Sequence, residues 1–283
     1  MKKLLCLILP LAFAAEKSAG TGASFKGPIG LQLYSLREQA AANGVVPTLD
    51  TVKSFGIRYA ELAGTYDLAP EKLLALLKER GIKAVSAHFP YKRFRDEPEA
   101  VAAEAKALGL EYAGCAWADH KGDLDEKQAR DIAAVFNRAG DVLSKHGLKF
   151  FYHCHGYEFQ PHGDGTLMDL LIKETNAKHV RFQMDVLWVV FPGQDPVKLL
   201  EKYPGRWELM HLKDLKRGVA TGALTGKTDK SNDVALGTGQ MNWPAIFTAA
   251  KKAGVKYYFI EDESPTSVEQ IPRSLKFLEQ VKF

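Results

Sequence analysis

Cysteine is scarce: three residues in 283, none in C-x-x-C or zinc-like spacing, which leaves no cysteine-built metal or redox site. Charge of one sign is scarce too. The formal net charge of +4 comes from 38 basic and 34 acidic side chains spread along the chain. With no Lys/Arg-rich run and no aromatic-interleaved basic stripe, no nucleic-acid groove is expected. The apolar run Leu4 to Phe13 covers about 10 residues, where a bilayer-spanning helix needs about 20, so no membrane span is expected. No G-x-G-x-x-G follows the first strand-like segment, which counts against a dinucleotide fold. Nor is there a glycine-rich phosphate cradle.

What is present begins with a secretory signal. Lys2 and Lys3 form a positive start, Leu4 to Phe13 an apolar middle, and Ala12-Phe13-Ala14 a small-x-small cleavage site. Residues 1–14 are therefore expected to be removed on export, giving a secreted or periplasmic protein, and residues 15–26 read as a flexible leader. Export leaves Cys115 and Cys154, which fall in neighbouring strand candidates; a disulfide is open to them, but two small buried hydrophobes is the commoner arrangement.

From residue 27 to 283, strand-like and helix-like segments alternate without a break. The strand candidates are Ile29–Leu33, Arg58–Leu62, Ala84–His88, Tyr112–Ala116, Lys149–His153, Val180–Asp185, Glu208–His211 and Tyr257–Glu261. Most are short runs rich in β-branched or aromatic residues, as strands buried on both faces require. Periodic helices over 71–81, 99–109 and 129–147 each end in a glycine, Gly81, Gly109 and Gly147, just before the next strand. Eight such units predict one α/β domain, a (β/α)8 TIM barrel, and 283 residues with 46% apolar content suffice for it. The connection from about Leu212 to Gln240 is Gly- and Lys-rich and lacks apolar periodicity; it reads as a partly mobile lid.

Active-site groups in such a barrel come from the C-terminal ends of strands. Reading those ends gives Gln32, Tyr34, Glu61, His88, Trp117, His153, His155, Asp185, His211, Lys213, Glu261 and Glu263, after strand bodies that are largely apolar. His153, Asp185, His211 and Glu261 are about 30, 26 and 50 residues apart, against about 30 for one strand-helix unit, so four consecutive strands would bring them to one mouth. Imidazoles with carboxylates suit a divalent metal such as Mn²⁺, Co²⁺, Mg²⁺ or Zn²⁺. Such an ion can act as a Lewis acid on a substrate carbonyl while a carboxylate beside it, for which Glu261 is well placed, moves a proton at the adjacent carbon. Trp117 and Trp188 would suit the apolar face of a sugar ring.

The order of GLQLYSLRE, YAELAG, SAHFP, YHCHGYEF, MDVLWVVFPGQDP, HLKD and IEDE along residues 27–283 resembles the xylose-isomerase-like barrel superfamily, often called sugar phosphate isomerases/epimerases. The resemblance implies a metal held by His153, Asp185, His211 and Glu261, with substrate contacts from His88, Glu158 and Arg217; His155 and Lys213 are further substrate-binding candidates. One departure bears on mechanism. Family epimerases usually carry a glutamate where this chain has His153, and two facing glutamates trade a proton across the substrate. His153 can still ligate a metal or serve as a base near neutral pH; either Glu158 folds back to replace the missing glutamate, or the reaction is a one-sided isomerisation or a β-elimination. Secreted relatives with YH-x-H here look like enzymes acting on oxidised sugars and glycosides.

The leading expectation is a metal-dependent isomerase, epimerase or lyase that abstracts a proton next to a carbonyl on a sugar or keto-glycoside, with Glu261, His153 and Glu158 as candidate catalytic residues. The alternatives are a non-catalytic sugar-binding barrel and a metal-dependent phosphodiesterase related to apurinic endonucleases. The expected partner is a small carbohydrate; a homo-oligomer of the chain stays open.

Overall fold

The computed structural model describes residues 18–283; the expected signal and cleavage site lie outside them. Eight parallel strands close into a barrel: β1 (Ile29–Gln32), β2 (Tyr59–Leu62), β3 (Lys83–His88), β4 (Tyr112–Cys115), β5 (Lys149–His153), β6 (Val180–Asp185), β7 (Trp207–Leu212) and β8 (Tyr257–Ile260). Each matches its expected segment to within one residue at either end. Helices cover the outside, among them Pro70–Glu79, Pro98–Ala107, Glu126–Lys145 and Trp243–Ala253. The three expected stop glycines all take the left-handed conformation, with φ of 67° at Gly81, 71° at Gly109 and 74° at Gly147, where a side chain would be strained.

The barrel interior divides into two levels because inward-facing residues alternate along each strand. The lower level is apolar: Val85, Tyr112, Phe151, Leu209 and Phe259 pack together, with Tyr59 and Tyr257 against them. Gly114 makes room for this packing, since a Cβ there would stand 2.4 Å from the Phe151 ring. Beneath it, Glu208 collects Lys149 Nζ at 2.8 Å, Lys256 Nζ at 2.9 Å, Arg181 Nε at 2.9 Å and the Tyr112 hydroxyl at 2.7 Å. The upper level is polar and opens at the C-terminal ends of the strands. Two register shifts, one between β2 and β3 at Ala60/Glu61 and one between β6 and β7 at Phe182/Gln183, occur just where Glu61 and Gln183 turn inward; such irregularities re-aim side chains.

Two stretches read as loose from the sequence are packed in the structure. Residues 18–26, assigned to the flexible leader, pack under the barrel: Phe25 is buried against Phe247 and Tyr258, and Gly20 N–H donates to Glu279 Oε1 at 3.2 Å. The aromatic ring of Phe25 is the reason, as it covers apolar surface that closes the barrel base. The stretch 212–240 is also built into the fold. Its two ends pair as a short antiparallel ribbon, Asp214–Leu215 with Asp233–Val234. The Asp214 carboxylate accepts the N–H groups of Gly237, Gly239 and Met241 and the Trp243 indole N–H at 2.8–3.2 Å. Its middle leans on the loop after β5, where Gly156 faces the Thr225 carbonyl so closely that a Cβ would lie 2.2 Å from it. Cys115 and Cys154 are free and buried.

Candidate metal centre and active site

Asp185 ends β6 and caps the short helix Val186–Val190, its Oδ1 accepting the Trp188 N–H at 3.1 Å. That bond uses one carboxylate oxygen and turns the other, Oδ2, into the barrel, where it is buried without a hydrogen-bond partner among the described residues. It faces His153 Nε2 at 3.9 Å and His211 Nδ1 at 3.8 Å. Parallel pairing of β6 with β7 puts Asp185 beside His211, and Glu261, one residue beyond β8, brings Oε2 to 3.1 Å from His211 Nδ1. One donor atom from each of His153, Asp185, His211 and Glu261 thus falls within 4.8 Å of the others.

The unpartnered Asp185 oxygen is the observation that tests whether a cation fits. A buried polar atom normally has a partner, and two imidazole nitrogens with two carboxylate oxygens converging on one point are a fitting donor set for a divalent ion. Burial pushes the Asp185 carboxyl up and the His153 imidazole well down, each toward its neutral form. For Glu261 burial acts the same way, but Lys213 and His211 outweigh it and hold the carboxyl well below the usual range. Burial likewise opposes the charged form of His211, and the Glu261 and Glu61 carboxylates overcome it. The proton shared by His211 Nδ1 and Glu261 Oε2 must leave before both atoms can ligate one cation.

Around this cluster lies a cavity of about 540 Å³, a size usual for small-molecule sites. His88, His153, His155, Trp117, Trp188, Lys213 and Glu261 line it, as the sequence expectation had placed them at the mouth, together with Tyr34, Asp233, Glu263 and the loop residues Gly226, Lys227, Thr228 and Lys230. Lys213 is fully enclosed, with Nζ 2.5 Å from Glu263 Oε1, 3.4 Å from Glu261 Oε2 and 3.6 Å from Asp233 Oδ2. Burial lowers the tendency of Lys213 to stay charged, and these three carboxylates more than restore it. Trp188 packs between Lys213, 5.6 Å from its ring, and His155; Trp117 is 40% exposed and stacks on His120 at the rim.

Two expected site residues are not brought to the cavity. Glu158 does not fold back toward the cluster. It sits under the turn Tyr157–Phe159, where Oε1 accepts the Tyr152 hydroxyl at 2.5 Å and both oxygens face the His155 N–H at 2.9 and 3.0 Å. Tyr152 points outward, against Phe136 of the helix Glu126–Lys145, so Glu158 lies on the outer side of β5. Arg217 is exposed, and its Nε donates to the Thr238 carbonyl, because the chain turns away from the mouth after the ribbon. Glu61 and Gln183, by contrast, carry more of the site than the sequence conveyed. Glu61 is fully buried, and although burial opposes its charge, His88 and His211 bring its pKa down to about 2.

Comparison with known proteins bears on what this site is. The chain is 27% identical over 173 residues to an inosose dehydratase of Geobacillus thermodenitrificans (strain NG80-2), a match covering 58% of this chain and 57% of that protein. The chain therefore spans little more than half the length of that curated relative. A sugar phosphate isomerase/epimerase from Parabacteroides distasonis ATCC 8503 superposes with a TM-score of 0.75 at 24% identity, covering 92% of this chain and 97% of that one. An IolI protein crystallised with a bound zinc atom gives 0.71 at 15%, covering 88% and 95%. At these identities the structural likeness speaks to the fold. The description of the family whose model matches residues 49–281 agrees with the closed barrel, and the chain belongs to the xylose isomerase-like TIM barrel family.

Proposed function

We propose that the protein is a divalent-metal-dependent enzyme that removes the proton next to the carbonyl of a keto-sugar or keto-cyclitol and expels the substituent on the next carbon, a β-eliminating lyase. The observation that carries this reading is the asymmetry of the site. Asp185 has one unpartnered oxygen, Oδ2, and it is turned to the point where the donor atoms converge; Glu261 turns Oε2 there, held by His211 and Lys213, and keeps Oε1, without a partner among the described residues, for proton transfer. Asp185 Oδ1 is committed to the Trp188 N–H, and the facing position is His153, with Glu158 turned away. A symmetrical exchange between two carboxylates would need one where His153 stands, whereas elimination needs one base and one acid.

A divalent ion among His153, Asp185, His211 and Glu261 would supply Lewis acidity at the substrate carbonyl. Glu261 Oε1 takes the proton, in reach of the cavity and ionised at neutral pH because Lys213 and His211 hold its carboxyl low. Lys213 Nζ, charged and on the cavity wall, can donate to the departing oxygen, and Glu263, partly exposed beside it, can restore that proton from solvent. Trp117 and the loop 226–230 narrow the mouth and limit water. The dehydratase name of the Geobacillus relative and the zinc reported in the IolI structure support this reading. So does the expected export, which would bring the enzyme to free sugars or glycosides.

The test is proton NMR in D2O with the protein loaded in turn with Mg²⁺, Zn²⁺, Co²⁺ or Mn²⁺ and chelated before recording, using inososes, free ketoses and 3-keto-glycosides. Loss of the proton beside the carbonyl with an unsaturated product supports elimination. Exchange or isomerisation without a released group moves the protein to the epimerase and isomerase reading. Metal bound with no exchange on any candidate refutes proton abstraction. In the same assay Glu261→Gln is expected to lose at least a hundredfold in turnover, within the typical range for removing a general base, with the fold intact; retained activity removes Glu261 from the mechanism.

A further inference from the structure

We infer that Glu61, on β2 and outside the donor set, is the positioning residue that fixes the ring tautomers of both cluster histidines, His211 directly and His153 through the Gln183 amide. The inference rests on the metal reading proposed above.

Glu61 lies at the floor of the polar level, and five side chains from four other strands converge on its carboxylate. Oε1 accepts Gln32 Nε2 at 2.8 Å and His211 Nε2 at 2.5 Å, with His88 Nε2 at 3.2 Å. Oε2 accepts Ser86 Oγ at 2.6 Å and Gln183 Nε2 at 2.8 Å. An ionised carboxylate can only accept, so every one of these partners facing it has to donate. His211 must therefore carry its hydrogen on Nε2. That leaves Nδ1, the nitrogen facing Glu261 Oε2 and Asp185 Oδ2, as the one that can offer a lone pair to a cation.

The second histidine follows by one relay. Because Glu61 takes the amide nitrogen of Gln183, the amide oxygen faces the other way, 3.0 Å from His153 Nδ1 and 3.1 Å from His88 Nε2. An amide oxygen also only accepts, so His153 donates from Nδ1 and keeps Nε2 bare toward Asp185 Oδ2. A carboxylate behind a ligating imidazole both orients the ring and raises its basicity. One charged oxygen pair on β2 thus prepares two ligands on β5 and β7. The same network bears on a competing arrangement. His88, His153 and His211 also cluster closely enough to suggest a three-histidine site, but one nitrogen of each, Nε2 of His88 and His211 and Nδ1 of His153, is committed to Glu61 or Gln183.

Glu61→Gln keeps the volume but offers an NH2 group that can face His211 or turn Gln183 over. Zinc affinity measured by calorimetry against a competing chelator should fall 10- to 100-fold in this variant, about the loss typical of such supporting partners. Ser86→Ala, which removes a donor from the same carboxylate without touching a ligand, should leave the affinity unchanged. Nitrogen-15 NMR of the zinc-loaded unaltered protein gives a readout that does not depend on a variant folding: hydrogen is expected on Nε2 of His211 and Nδ1 of His153. Zinc bound as tightly by folded Glu61→Gln as by the parent, or the opposite tautomer in the parent, overturns the inference. A parent that binds no zinc, magnesium, cobalt or manganese fails the metal reading itself, a separate result.

Discussion

Glu158 supplies the most quantitative prediction, because it is a buried acid held by neutral donors. Burial pushes its pKa up, the Tyr152 hydroxyl and the His155 N–H oppose that rise, and the outcome is about 7 instead of the ordinary 4.5. The folded state therefore holds a proton that the unfolded chain releases between those two values. The stabilisation is complete below about 4.5 and is lost as the pH rises through about 7. At about 1.4 kcal/mol per pH unit, the rise from 4.5 to about 7 amounts to about 3 kcal/mol. Glu158→Gln imitates the protonated form at every pH, so the difference in unfolding free energy between parent and variant isolates this one group. Urea unfolding of both proteins with chelator present, at half-unit steps from pH 4.5 to 8.5, should show the parent losing about 3 kcal/mol relative to the variant across that range. Parallel profiles would mean that Glu158 is ionised in the fold at acidic pH and that the bonds from Tyr152 and His155 outweigh its desolvation.

Gly114→Ala drives a Cβ into the Phe151 ring and should cost about 1–3 kcal/mol of stability, read as a lower urea midpoint with an unchanged slope; a neutral effect would mean the lower barrel level has slack. Asp185→Asn keeps the cap on the Trp188 N–H but removes the negative charge from the unpartnered oxygen, so metal affinity in a chelator competition should drop at least tenfold with little change in melting temperature. Expression of the full chain in an exporting host should yield a mature protein beginning at Ala15, checked by intact mass; retention of residues 1–14 would remove the secretory reading.

The barrel was legible because its signals are local. Apolar runs such as Lys149–His153 and the glycine after each helix mark the units, and a polar residue closing each apolar run marks the mouth. Asp185, His211 and Glu261 could be placed together from spacing alone, since successive strands of a closed parallel barrel must bring their ends side by side. Glu158 and Arg217 were misplaced for a common reason: residues counted past a strand end do not fix the path of a loop. The turn at Tyr157–Phe159 sends Glu158 outward to Tyr152, and the ribbon at Asp214–Leu215 carries Arg217 off the rim. Glu61 was visible as an isolated acid in YAELAG, but its meeting with His211 spans 150 residues and follows from closure of the whole barrel, which no local pattern encodes.

The clamp at Asp214 has a consequence for how this protein could diversify. By gathering the backbone of Gly237, Gly239 and Met241 and the indole of Trp243 onto one carboxylate, it fastens the exit and return of the loop at a common point. The intervening segment becomes an exchangeable cassette. Residues can be inserted, deleted or grafted between about 219 and 232 with the strand ends that carry His211 and Glu261 left in register. That segment contributes Gly226, Lys227, Thr228 and Lys230 to the cavity wall. New substrates can be explored by rewriting one surface excursion while the proton-moving centre is inherited unchanged.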